Sequence, residues 1–128
     1  MIRNNTLTGN GGGVFVSTSQ DVEVAGNTIS GPYPVLGLDQ TRGTGYYGAL
    51  ILANLNVHDN IITPTTGYVG VLQTSGTDAA FTSRNNRFVN NTYLLALGVT
   101  SRPFAWMDGM RTPAEWRAYS QDATGTFR

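Results

Sequence analysis

The sequence predicts an all-β fold: a right-handed parallel β-helix solenoid of about four rungs with a short C-terminal helical cap. Three observations carry this expectation. A phrase built on Asn recurs four times, as Ile2-Arg3-Asn4-Asn5-Thr6-Leu7, Val24-Ala25-Gly26-Asn27-Thr28-Ile29, Val57-His58-Asp59-Asn60-Ile61-Ile62 and Ser83-Arg84-Asn85-Asn86-Arg87-Phe88. Its Asn residues are 22, 33 and 26 positions apart, near the length of one solenoid repeat. Short apolar strands flank each copy, and a strong helix start appears only after the repeats stop.

Each rung reads as three short strands. Val14-Phe15-Val16 precedes Val22-Glu23-Val24, Ala49-Leu50-Ile51-Leu52 precedes Leu55-Asn56-Val57, and Val69-Gly70-Val71-Leu72 precedes Ala80-Phe81-Thr82. The alternation at Val22/Val24 and Leu55/Val57 marks half-buried strands. A third strand follows each Asn and ends at Leu7, Ile29, Ile62 or Phe88. Asn5, Asn27, Asn60 and Asn86 are then structural corner residues. Asn accepts left-handed backbone more readily than most residues, and stacked Asn side chains can hydrogen-bond along a ladder.

The phrase V-x-V-x-x-N-x-I, behind a Gly-led apolar strand, resembles the repeat of the right-handed β-helix proteins of the pectate-lyase-like superfamily, over roughly residues 1–95. The resemblance implies that the corner Asn joins a second and a third sheet. It implies that a first sheet, residues 13–17, 48–52 and 69–74, faces a ligand groove. It also implies a secreted or cell-surface protein that acts on polysaccharide. The stretch from Trp106-Met107-Asp108-Gly109 through Thr112, Trp116 and Asp122 is similar to the tails of secreted bacterial β-helix proteins.

Residues 96–128 form the expected cap. Thr112-Pro113-Ala114-Glu115 fits a capping box with Pro at the first helical position, predicting a helix over 113–121. Trp106, Trp116 and Tyr119 supply aromatic surface to close the solenoid. The alternative for the two Trp is a sugar-stacking platform.

Composition excludes several classes. Charged residues are 12% of the 128, eight Arg balance eight acids, and there is no Lys. That neutrality argues against nucleic acid and against electrostatic membrane attachment. With no Cys, disulfides and thiolate metal sites are impossible. No apolar run is long enough to span a bilayer. Met1 runs straight into the repeat, with no signal-peptide pattern and no N-terminal cap. The expectation is the C-terminal part of a longer protein, or a short solenoid that pairs its open end with another copy. Expected partners are therefore a polysaccharide or oligosaccharide, and missing N-terminal rungs or a second copy. No cofactor is evident, and the resemblance leaves calcium to the parent protein.

The interval between Asn27 and Asn60 is the longest, and the extra length is read as a loop over residues 31–47 leading into the first sheet. Its Tyr33, Asp39, Arg42, Tyr46 and Tyr47 are the candidate substrate-binding residues: aromatic faces stack on sugar rings, and Arg42 can pair with a carboxylate or sulfate. A simple packing lobe is the competing reading. His58 lies beside Asp59, but neighbours on a strand point to opposite faces, so His58 reads as a surface ladder residue rather than a base. Arg3, Arg84 and Arg87 read as solvated edge charges.

Catalytic residues are unassigned. The Asn-Thr-Asp, Asp-Asp, Gly-His-Gly and Arg-Ile-Lys phrases of polygalacturonase-type β-helix enzymes are missing, as is the Arg-x-Pro-x-x-Arg of pectate lyases. No two acids are adjacent, whereas glycoside hydrolysis uses a carboxylate pair. Two functional readings follow. One is the C-terminal portion of a secreted lyase-like or glycoside-hydrolase-like protein, this segment giving scaffold and part of a carbohydrate groove. The other is a non-catalytic carbohydrate-binding, adhesive or structural module.

Overall fold

The computed structural model describes residues 1–95 and 99–128. The chain enters as β1 (Ile2–Arg3) and β2 (Thr6–Leu7), followed by β3 (Val14–Ser17). The next coil is β4 (Glu23–Ala25), β5 (Thr28–Gly31) and β6 (Val35–Asp39). A hairpin of β7 (Thr44–Gly45) and β8 (Gly48–Ala49) projects after it. The following coil is β9 (Asn56–His58), β10 (Ile61–Pro64) and β11 (Val69–Gln73). One helical turn, α1 (Ala79–Thr82), leads to β12 (Arg87–Val89) and β13 (Thr92–Tyr93). The chain closes with β14 (Phe104–Trp106), β15 (Gly109–Arg111), α2 (Pro113–Ala118) and β16 (Thr126–Phe127).

These strands stack into three sheets, giving the expected all-β parallel solenoid. The first sheet runs β3-β6-β11-β14-β15, the second β1-β4-β9-β12, and the third β2-β5-β10-β13-β16. All neighbours are parallel except β14 and β15. The steps from Ile2 to Val24, Val57 and Phe88 are each one coil, so three complete turns support four strands in the second sheet.

The two-residue period of a strand explains the core. Inward residues form columns: Ile2, Val24, Val57 and Phe88 in the second sheet, and Leu7, Ile29, Ile62, Tyr93 and Phe127 in the third. The inner members of both columns are fully buried. In the first sheet Gly37 lies between Val16 and Val71. Leu52 and Leu55 fill the space beside it; a Cβ on Gly37 would sit 2.9 Å from Leu52 Cδ2.

Two segments lie elsewhere than the sequence suggests. Residues 48–52 do not enter the first sheet; β6 holds that place, with Val35, Gly37 and Asp39 turned inward. Gly48 and Ala49 are exposed in the hairpin, and Leu52 reaches the core from the return path. The inserted segment is therefore residues 40–51, and it leaves the first sheet rather than leading into it. Residues 80–82 lie in the α1 turn, and the strand of that coil is β12, which carries Phe88 in the second sheet.

The corner between the second and third sheets holds a side-chain ladder. Asn27 Oδ1 accepts from the Asn5 backbone N–H and Nδ2 at 2.9 and 3.0 Å. Asn60 Oδ1 does the same for Asn27, Asn91 Oδ1 for Asn60, and Asp122 Oδ1 for Asn91. The steps are 22, 33, 31 and 31 residues. The fourth ladder corner is thus Asn91, not Asn86. Asn86 is structural at a different corner, where it accepts the Leu55 N–H and donates to the carbonyls of Leu52 and Ala80. The left-handed residue is the one before each ladder Asn: Asn4, Gly26, Asp59 and Asn90, with φ of 55°, 63°, 54° and 55°. A parallel series, Asp21, Asn54 and Asn85, turns the chain into the second sheet with φ of 58°, 53° and 55°.

The cap helix starts at Pro113 as the sequence suggests but ends at Ala118 rather than at residue 121. Thr112 and Glu115 form a reciprocal capping box at the start of α2. Trp116 and Trp106 are buried, so neither can stack on a sugar. Trp116 stacks on Phe104 at 4.8 Å and meets Phe88 edge-on at 5.0 Å. The domain boundary expected at residue 96 falls outside the described residues.

Two substitutions test the ladder. Asn60→Ala strands the Asn27 N–H and takes one donor from the carbonyls of Val24 and His58, the latter keeping the Gly26 N–H at 3.4 Å. At about 1–3 kcal/mol for a buried unpaired N–H, with the other side-chain bonds of Asn60 lost as well, urea unfolding should show a loss of roughly 2 kcal/mol or more. Asp122 accepts four donors: two from Asn91, the Tyr93 hydroxyl and Trp116 Nε1. Asp122→Asn turns an amide toward one pair of donors, and should cost about 1–3 kcal/mol although it is nearly isosteric.

Candidate functional site

The β7–β8 hairpin carries the most exposed aromatic pair. Thr44 pairs with Ala49 and Gly45 with Gly48, which leaves Tyr46 and Tyr47 as its two-residue tip. These rings are 94% and 97% exposed and meet edge-to-face at 4.9 Å. Gln20 Nε2 donates to the Ala49 carbonyl at 2.8 Å, and the Leu50 N–H donates to Gly43, so the hairpin is tethered at its base. Between it and the turn at residues 18–21 lies a groove of about 450 Å³. One wall is aromatic. The other offers the Thr18 and Ser19 hydroxyls, the Gln20 amide and the Asp21 carboxylate.

On the other side of the hairpin base is a cleft of about 180 Å³, lined by Asp39, Gln40, Arg42, Ser75, Thr77 and Arg84 among others. Asp39 is only 1% exposed. It accepts the Leu52 N–H at 2.9 Å and Arg84 Nη1 at 2.7 Å. Its role is to close the mouth of the insertion, and removing its guanidinium partner would leave a buried charge unpaired. Arg84 is accordingly no solvated edge charge. Arg42 is exposed and donates through Nε and Nη2 to Gln40 Oε1 at 3.1 and 2.8 Å.

The candidate residues therefore separate. Tyr46 and Tyr47 line the groove, Asp39 and Arg42 line the cleft, and Leu50 touches both. Tyr33 lines neither; it packs edge-on against Tyr68 at 5.0 Å, between β5 and β6. Sequence reasoning missed the opposite groove wall, residues 18–21. The signal was a run of polar residues, Ser17-Thr18-Ser19-Gln20-Asp21, one coil from the hairpin.

A third cluster decorates the outer face of the second sheet. His58 Nδ1 lies 2.7 Å from Asp59 Oδ2, and Nε2 lies 2.9 Å from Glu23 Oε1. Glu23 also takes Arg3 Nη2 at 2.8 Å. His58 and Asp59 meet although adjacent because the left-handed Asp59 has already left the strand. Asp59 first, then Glu23, hold His58 above its ordinary value of 6.5. Arg3 first, then His58, hold Glu23 below its ordinary 4.5, and His58 with Asn90 holds Asp59 below 3.8.

The sign of the pH effect follows. A raised His58 contributes stability below about pH 6.5 that is lost as pH rises through its folded value. The depressed carboxylates contribute stability above about pH 4.5 that is lost as pH falls through theirs. Thermal unfolding should thus show a higher melting temperature at about pH 5.5 than at pH 8.5. His58→Gln should flatten that difference, because the chain has no other His.

Residues 1–108 match the family model described as periplasmic copper-binding protein (NosD). No curated protein and no solved structure gives a match. The family match spans most of the 128 residues and the coils that build the groove. This chain belongs to the NosD family.

Proposed function

We propose that this chain supplies the scaffold and part of the carbohydrate groove of an exported β-helix protein that acts on polysaccharide, and that its own share is binding rather than bond breaking. The observation that carries this is the Tyr46–Tyr47 pair held over a polar groove. Aromatic faces match the C–H faces of sugar rings, while hydroxyls, an amide and a carboxylate opposite match their hydroxyls. Asp21 is the one carboxylate lining the groove, whereas hydrolysis by paired carboxylates needs two. The family's description supports placement in the periplasm. Among the described residues, no helix is long and apolar enough to cross a membrane.

Copper is named in that description, and the His, Cys and carboxylate donors here do not fit it. The chain has no Cys and one His, and carboxylates engage both ring nitrogens of that His. Among the described residues, no three His, Cys, Asp or Glu side chains are placed to share a metal. No step of the proposal runs through copper.

The test is a glycan array read with the chain and with a Tyr46→Ala/Tyr47→Ala variant. The expected result is binding to a defined glycan class without product formation, weakened roughly tenfold or more in the variant at unchanged melting temperature. A chain that binds no glycan, or a variant that binds as well, refutes the proposal and leaves the structural-module reading.

A further inference from the structure

We infer that the cleft between Arg42 and Arg84 is a binding site for an oxyanion, a carboxylate or sulfate group carried by a small molecule or a glycan. Its charged lining groups are two guanidiniums and one carboxylate, Asp39. Asp39 sits at the floor, where its Oδ1 takes the Leu52 N–H and Arg84 Nη1, while its Oδ2 has no partner among the described residues. That pairing cancels one positive charge, while Nε and Nη2 of Arg84 have no partner among the described residues.

Arg42 is the uncancelled charge. Its partner among the described residues is the neutral Gln40 Oε1, which the Ser17 hydroxyl approaches at 3.4 Å. Gln40 therefore orients the guanidinium without neutralising it, and Nη1 has no partner among the described residues. Thr77 adds a hydroxyl whose oxygen accepts the Ala79 N–H and whose proton remains to donate. A planar fork, a second guanidinium and a hydroxyl, with a net charge of plus one, are the chemistry that oxyanions select.

The site does not depend on the groove taking a sugar. Leu50 lines both hollows, so the two lie next to each other at the hairpin base.

The experiment follows the side-chain Nε–Hε NMR signals of Arg42 and Arg84 in the whole chain. Inorganic sulfate, a hexuronate and the neutral hexose of the same configuration are titrated at constant ionic strength. The expected result is saturable shifts of both signals with sulfate or hexuronate and none with the neutral sugar. Arg42→Gln should weaken the Arg84 response about tenfold, with partial recovery in Arg42→Lys. A stronger response to sulfate assigns a tetrahedral oxyanion, and a stronger response to hexuronate assigns a carboxylate. Shifts that do not saturate, or an Arg84 response unchanged in Arg42→Gln, overturn the inference. Failure of the sugar reading looks different: the array is blank while the anion shifts persist.

Discussion

One carboxamide, giving and taking along the same axis, holds this fold in register. At the corner between the second and third sheets the backbone must turn, and its N–H would otherwise point into the protein without a partner. The next coil's Asn Oδ1 accepts that N–H together with the preceding Asn's own amide. The same Asn donates to a carbonyl of the coil before it, as Asn60 does to Val24 and Asn91 to Val57. Each rung is therefore tied to both neighbours by one buried side chain, where an unpaired polar group would be costly. This directionality also dictates how the ladder ends. The last ladder member has no further ladder side chain to donate to, and Asp122 is an acceptor for four donors. Trp116 and Tyr93 supply two of those donors, so the cap and the ladder terminate each other.

A fixed corner lets chain length vary elsewhere. The step from Asn27 to Asn60 takes 33 residues and the step from Asn5 to Asn27 takes 22, yet both close with the same bonds at about the same distances. The difference is absorbed on the path from the first sheet to the second, where the hairpin leaves the coil. Its mouth is sealed by Asp39, Leu52 and Arg84, two residues from one coil and one from the next. The hairpin thus varies on a scaffold that does not have to move, and loops so placed are where binding surfaces are made.

The fold class, three of the four ladder corners and the capping box were legible because each leaves a local pattern. The fourth corner was misplaced because two Asn-Asn pairs, Asn85-Asn86 and Asn90-Asn91, stand five residues apart, and each is followed two positions later by an aromatic residue. The pattern that separates them lies three positions before the ladder Asn, where the inward column needs an apolar side chain. Ile2, Val24, Val57 and Phe88 satisfy it for Asn5, Asn27, Asn60 and Asn91; Ser83, three before Asn86, does not. The insertion was misplaced because Gly37 interrupts the apolar run of β6. That glycine is needed because Leu52 and Leu55 occupy its side of the core, a contact no local pattern reveals. The ion pair of Asp39 with Arg84 joins residues 45 apart in sequence, and only the coil brings them together.

The low charge of this chain gives individual side chains unusual weight. With eight basic and eight acidic residues, much of the charge is absorbed in pairs: Arg3 with Glu23, Arg84 with Asp39, and Arg102 with Glu115. Arg102 belongs to the cap, where Glu115 also closes the capping box, so that pair serves α2. Arg117 and Arg111 lie over the rings of Phe127 and Tyr119 in the same region. Screening at physiological salt reaches about 8 Å, so a cation acts on what lies beside it rather than on the field of the whole protein. In such a surface an unneutralised guanidinium at a cleft mouth is a local feature with a local consequence. Arg42 stands there at the base of the β7–β8 hairpin, which departs from the regular coil. The ladder that makes the coils alike is what makes that departure stable, because it leaves the rest of the fold indifferent to what the hairpin carries.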